Sequence, residues 1–209
     1  MNSITTRMKE HYSRSFELFG ANVQGVDWGG VKEDKLRLRY QKMLDIMVHI
    51  NIPKGRVSIL DVGCGYGGLC QYGIEKGYAF DYTGIDVCEN MIQYARKHNE
   101  SGEFICGDIL EYCTKKKYDF VICNGILTQK LETSIRAMDE YARMLVKKMW
   151  DLSIRGIAFN IMKSQVDFMN EKLYYKSPLE MISYGMMLTD KFVIDSAYPL
   201  YEYSVYLYK

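Results

Sequence analysis

The sequence predicts a doubly wound α/β fold: seven mostly parallel strands, helices on both faces, an antiparallel C-terminal hairpin, and helices ahead of the sheet. Three observations lead there. From residue 57 onward, short β-branched runs alternate with helix-period segments, the pattern of βαβ units. The first run ends in a cluster of glycines. The last two runs are separated by a link too short for a crossover, so they pair antiparallel.

The elements follow in order. Met8 to Phe19 reads as a helix, and so does Glu33 to Ile50, where Leu36, Tyr40, Met43, Leu44, Met47 and Ile50 share one stripe. Pro53-Lys54-Gly55 punctuates the chain and sets the division used here: residues 1–56 as an N-terminal helical cover, 57–209 as the core of the same domain. Val57–Val62 is a buried strand, followed by a helix to about Lys76 that Gly77 terminates. Phe80–Asp86 is the second strand and Glu89–Asn99 the second core helix. Strands at Glu103–Cys106, Tyr118–Cys123 and Ile154–Ile161 enclose a helix from Glu132 to Trp150. A helix at Pro178–Leu188 precedes the closing strands, Lys191–Ala197 and Tyr201–Tyr208.

Composition limits the function classes. With 209 residues, 48% hydrophobic and 25% charged, the chain makes one ordinary domain with a real core. Lys plus Arg number 27 against 26 acids, a formal charge of +1, which argues against a nucleic-acid partner held by phosphate neutralisation. No apolar run approaches the ~18 residues of a membrane span, and the first residues lack a secretory h-region. Six cysteines (64, 70, 88, 106, 113 and 123) show neither metal-ligand spacing nor a disulfide pattern. The expectation is a reduced, cytoplasmic enzyme with no metal and no membrane partner. Nothing in the sequence sets its oligomeric state.

The informative segment is Leu60-Asp61-Val62-Gly63-Cys64-Gly65-Tyr66-Gly67-Gly68, where glycines between strand and helix let backbone approach a ligand. Two chemistries fit it. Gly63, Gly65 and Gly68 satisfy G-x-G-x-x-G with Asp86 about twenty residues on, a dinucleotide fingerprint. Against that, Asp61 puts an anion where a pyrophosphate would lie, while a sulfonium or ammonium group is attracted to it. Asp108 closes the third strand, so three acids meet at the carboxyl edge of the sheet, where open α/β folds bind ligands.

These motifs resemble the class I S-adenosylmethionine-dependent methyltransferases and their Rossmann-like fold: Leu60–Gly67 their first motif, Thr83-Gly84-Ile85-Asp86 their second, and Gly107-Asp108-Ile109 their third. The resemblance covers residues 57 to 209. It implies S-adenosylmethionine as cofactor, the glycine loop beneath its methionine part, Asp86 on both ribose hydroxyls and Asp108 on the adenine amine. The implied cofactor set is Asp61, Gly63, Cys64, Gly65, Gly67, Asp86, Val87, Met91, Gly107, Asp108, Ile109, Asn124 and Gly125, with Arg39 reaching the cofactor carboxylate. Cys88 departs from the Ser common in the family and caps its helix less well.

Asn124-Gly125-Ile126-Leu127 would face the reactive methyl, and it lacks the Asn-Pro-Pro-Tyr run of base amino-methylation. No Pro-Cys nucleophile of the cytosine-C5 type occurs either. Val26–Gly30, Gly125–Lys130 and Tyr198–Tyr203 are similar to small bacterial methyltransferases associated with surface-polysaccharide biosynthesis, which implies a small polar acceptor such as a sugar precursor. His11 and Tyr12 on the covering segment are the candidate catalytic residues, His11 as general base for a hydroxyl acceptor, with an exposed helix residue as the other reading of His11. His49 and His98 read as packing or surface residues, and Trp28 as lining the site or capping the core. The tyrosines of the last strand read as alternating sheet packing, and Cys106 and Cys123 as small buried residues. Competing readings are a nicotinamide-dependent oxidoreductase or epimerase, weakened by the lack of a well-placed Tyr-x-x-x-Lys pair, and a binding module without turnover.

Overall fold

Residues 3–27, 32–50, 52 and 56–209 are described in the computed structural model; Trp28-Gly29-Gly30 and Pro53-Lys54-Gly55 lie outside the described residues. The strands are β1 (Val57–Val62), β2 (Phe80–Asp86), β3 (Gly102–Cys106), β4 (Tyr118–Cys123), β5 (Ser153–Lys163), β6 (Tyr175–Lys176), β7 (Phe192–Asp195) and β8 (Glu202–Tyr208). The helices are α1 (Ser3–Phe19), α2 (Glu33–Leu44), α3 (Gly68–Glu75), α4 (Glu89–His98), α5 (Ile135–Leu152) and α6 (Pro178–Gly185).

One sheet runs in the order β3-β2-β1-β4-β5-β8-β7, with the short β6 beside the end of β5. Strands β1 to β5 pair parallel, while β8 lies antiparallel to both β5 and β7. This is the expected architecture, with β6 added to the seven strands. Alternate residues of β1 feed opposite cores: Leu60 and Val62 pack with α5, Ile59 with α2, α3 and α4. Helix α5 buries Met138, Tyr141, Ala142, Leu145, Val146, Met149 and Leu152 on one stripe, and the Ser134 hydroxyl caps it by accepting from the Ala137 N–H.

Two expectations need correction. Helix α2 ends at Leu44 and passes into a tight turn, Asp45–Met47, rather than running to Ile50. The cause is a set of competing partners. The Asp45 carboxylate accepts from Gln41 and Lys42, and β8 hydroxyls donate to carbonyls at the helix end, Tyr206 to Lys42 and Tyr208 to Ile46. The tyrosines of β8 pack on both faces of the sheet, in line with the packing role expected of them. Tyr203 joins the α5 core while Tyr206 and Tyr208 join the α2 core, because β8 is internal and buried throughout. Cys106 is exposed at the end of β3, whereas Cys123 is buried as expected. His49 packs edge-on against Tyr206.

Candidate functional site

Parallel register brings the carboxyl ends of β1, β2, β3 and β4 together, and a cavity of about 940 Å³, its open mouth included, lies over them. Of the sequence-predicted residues, Tyr12, Asp61, Gly63, Cys64, Gly65, Asp86, Val87, Met91, Gly107, Asp108, Ile109, Asn124 and Gly125 line it. Gly65 adopts φ +54° and its N–H donates to Asp86 Oδ2 at 2.9 Å, while the Cys88 N–H donates to Oδ1 at 2.8 Å. A carboxylate offers about four lone-pair sites, so Asp86 keeps capacity for a diol. Burial pushes its pKa up, opposed by those backbone donors. Asp108 Oδ1 accepts from the Leu110 N–H at 2.9 Å and so is fixed at the turn after β3.

Asp61 is only 2% exposed. Its Oδ2 accepts from the Tyr82 hydroxyl at 2.5 Å, and its Oδ1 has no partner among the described residues. Burial drives the carboxyl up to about 7; the Tyr82 hydrogen bond opposes the rise and Asp86 adds to it. Asn124 Oδ1 is likewise buried and unpartnered among the described residues. Two orphaned acceptor oxygens among three acids make a cavity suited to a ligand rich in hydrogen donors and positive charge, and hostile to a pyrophosphate.

Three predicted residues sit elsewhere. Gly67 (φ +85°) starts α3, and a Cβ there would come within 2.7 Å of Asn99 Nδ2, so it serves packing against α4. Arg39 is turned into the core, where its Nε donates to Glu202 at 3.0 Å, both side chains being nearly inaccessible. The expectation that it reaches a cofactor carboxylate is therefore corrected: one residue further round α2, about 100°, Tyr40 lines the cavity instead. His11 lies outside the cavity, its Nε2 bonded to Asp27 Oδ2 at 2.7 Å. The same oxygen accepts from Gln129 Nε2 at 3.0 Å. Because a carboxylate only accepts, His11 Nε2 carries the hydrogen, and Nδ1 is left as the basic nitrogen. Burial and the Asp27 charge push the Tyr12 phenol far up, so Tyr12 keeps its proton.

Sequence reasoning missed the support beneath the β4 loop. The Gly125 N–H donates to Asn160 Oδ1 at 2.8 Å, Asn160 Nδ2 donates to Glu202 Oε1 at 3.2 Å, and Arg39 closes the chain. A polar Asn160 inside the apolar run Ile157–Ile161 was the available signal. Also unforeseen are Thr5, Met8 and Tyr141, which line the cavity from α1 and α5.

The fold and this edge define a methyltransferase domain, and a model of the family described as "Methyltransferase domain" matches residues 59–148. A Mycobacterium tuberculosis (strain ATCC 25618 / H37Rv) protein named among the methyltransferases is 30% identical over 158 residues, 73% of this chain and 93% of that relative. A malonyl-[acyl-carrier protein] O-methyltransferase of Acetivibrio thermocellus is 38% identical over 109 residues, 51% of this chain but only 37% of that relative. The structure of the plantazolicin methyltransferase BpumL with SAH superposes with a TM-score of 0.68 at 17% identity, covering 98% and 97% of the two chains. Magnesium protoporphyrin IX methyltransferase from Synechocystis PCC 6803, with SAM bound, gives 0.65 at 17% identity, covering 100% and 98%. These two share the fold. The chain belongs to the class I S-adenosylmethionine-dependent methyltransferases, with S-adenosylmethionine as methyl donor. The matches do not favour the nicotinamide reading of the same glycines. No described helix is long and apolar enough to cross a membrane.

Proposed function

We propose that the cavity over β1–β4 holds S-adenosylmethionine and that the chain methylates a small polar acceptor, a sugar or surface-polysaccharide precursor. Asp86 takes the ribose hydroxyls, Asp108 the adenine amine, and Val87, Met91 and Ile109 flank the adenine. Gly63 and Gly65 let the backbone pass under the methionine part, and Asp61 faces its positive charge. What carries this reading is the grouping of Asp61, Asp86 and Asp108 on one cavity wall with Asp61 Oδ1 unpartnered among the described residues.

S-adenosylmethionine held there would supply an electrophilic methyl for an acceptor oxygen, with its sulfur as the leaving group. The chain's own residues do the rest. Asn160 fixes Gly125 and thereby the Asn124 loop, so the acceptor is held in line, which supplies much of the rate. Asp27 orients His11, whose Nδ1 takes the acceptor's hydroxyl proton, and Tyr12 donates to a neighbouring oxygen. Two of the segments similar to the polysaccharide-associated enzymes meet here through the Gln129–Asp27 bond, which supports a sugar-type acceptor. In this reading residues 1–56 cover the core formed by 57–209. The six cysteines, all free, suit the reducing cytoplasm.

Calorimetric titration with S-adenosylhomocysteine, and with NADH in parallel, tests the site. Saturable binding of the first alone, weakened about 30-fold or more in Asp86→Ala, is the expected result. Unchanged affinity in that variant would refute the ribose assignment. A panel of sugars and nucleotide sugars, scored for methyl transfer, tests the acceptor; transfer only to non-carbohydrate acceptors would refute that part.

A further inference from the structure

Helix α1 has a second working face. Thr5, Met8 and Tyr12 turn to the cofactor cavity, whereas Arg7, Glu10, His11 and Arg14 line a separate surface groove on the flank of the same helix. The opposite wall is Leu131, Glu132 and Lys172. The Arg7 and Arg14 guanidiniums and the Lys172 ammonium make no hydrogen bond or ion pair among the described residues. Arginines are usually tied down by carboxylates where these are at hand, and here Glu10 and Glu132 are close but do not engage them.

The backbone is strained at the same place. Among the described residues only two non-glycines adopt left-handed φ, Asp27 (+56°) and Leu131 (+51°). Asp27 holds His11, and Leu131 is part of the groove wall. For a bulky residue such as Leu this conformation is an outlier, and strain of this kind collects where a site needs it. Two backbone bonds hold it: the Lys130 and Leu131 N–H groups both donate to the Lys172 carbonyl, fixing the 130–131 turn against the segment that carries Lys172. The groove is thus a constructed wall with charged heads free to meet a ligand.

Resting on the reading of this chain as a methyltransferase with its cofactor over β1–β4, we propose that the groove is the acceptor's anion subsite. Arg7, Arg14 and Lys172 hold a phosphate or carboxylate, Glu10 and Glu132 accept from hydroxyls of the same molecule, and the reacting hydroxyl turns inward to His11 Nδ1. The acceptor class is therefore a small anionic polyol, a sugar phosphate or a sugar acid. The planar guanidinium fork suits either oxyanion in a two-pronged contact.

The test needs no knowledge of the natural acceptor. The Arg side-chain Nε–H signals of the ¹⁵N-labelled full chain are followed by NMR at saturating S-adenosylhomocysteine, during titration with glucose 6-phosphate, glucuronate and neutral glucose. Saturable shifts of Arg7 and Arg14 are expected with the two anions and none with glucose. The stronger of the two identifies phosphate or carboxylate as the preferred group. Arg7→Gln and Arg14→Gln should each weaken the anion by about tenfold, and Arg136→Gln, on the exposed side of α5, should leave it unchanged. Equal response to glucose, no saturation with either anion, or unaltered affinity in both groove variants would overturn the proposal. Calorimetric binding of S-adenosylhomocysteine in the same samples reports the cofactor reading separately, since the groove titration can succeed or fail whichever way that result falls.

Discussion

The cofactor cavity and the groove beside it share helix α1 as a wall, yet they are assembled in opposite ways. In the cavity, Asp61, Asp86 and Asp108 stand at or just past strand ends, and parallel pairing aligns them: Asp61 opposite Gly84 and Ile122, Asp86 opposite Cys106. At the groove, one stripe of α1 (Arg7, Glu10, His11 and Arg14) faces Leu131, Glu132 and Lys172, and the walls are tied by the Asp27 oxygen that His11 and Gln129 share and by the Lys172 carbonyl that accepts from the Lys130 and Leu131 N–H groups. The first arrangement is rigid because the sheet is rigid. The second depends on a few polar contacts near solvent.

The largest effect should come from cutting the buried support under the cavity. Glu202→Ala leaves the Arg39 guanidinium buried without its carboxylate, since both are nearly inaccessible, and should cost about 3–5 kcal/mol of stability. Chemical denaturation would read it. The Gly125 loop should loosen with it, because Asn160 loses its acceptor on Glu202. By contrast Arg37→Ala removes an exposed ion pair to Glu75 and should cost less than about 1 kcal/mol. Similar losses for both variants would mean that the cavity is not held by its buried network.

His11→Gln probes the other half. The imidazole is partly exposed and no sheet contact depends on it, so stability and S-adenosylhomocysteine affinity should stay as in the parent chain. With an acceptor in hand, kcat should fall by roughly 10²-fold or more if the proton goes to Nδ1. Asp27→Asn should give a smaller loss in the same direction, because it disturbs the orientation and leaves the base. A fall in cofactor affinity without a fall in kcat would move His11 into the cavity's machinery and blur the contrast between the two halves.

That contrast also sets what could be read from the chain. Strands β1, β2 and β4 were legible to the residue because each is a short apolar run with clear ends, and the acids and glycines at those ends inherit their positions from the register. Arg39 and Tyr40 show where reading fails. Both lie on α2, and only the depth of Glu202, 163 residues away, decides that Arg39 turns inward. The end of α2 was missed for the same reason, since its terminating hydroxyls come from β8. The two-residue β6 carries no signal of its own length. Partners distant in sequence leave no local pattern: in the groove Arg7, Glu10, His11 and Arg14 share a helical stripe of α1, but the wall they face, Leu131, Glu132 and Lys172, lies far along the chain.

The smallest expected effect is also the most specific to the cavity. The Asp61 carboxyl sits near pH 7, against an ordinary value of 3.8, with burial as the main cause. A raised carboxyl means that the folded chain holds a proton the unfolded chain has given up. Its contribution to stability is therefore fully present below about 3.8 and gone above about 7, falling through the window between. If Asp61 faces the positive part of the cofactor, binding favours the carboxylate and expels that proton. Affinity for S-adenosylmethionine should then rise with pH up to about 7 and level off. Titrations in two buffers of different ionisation enthalpy at pH 6 should report release of a fraction of one proton per site. Asp61→Asn should abolish the release while leaving the Asp86 contacts in place. Release that persists in Asp61→Asn would assign the proton to Asp86, whose carboxyl burial also raises, and would place the cofactor's charge nearer the second strand than the first.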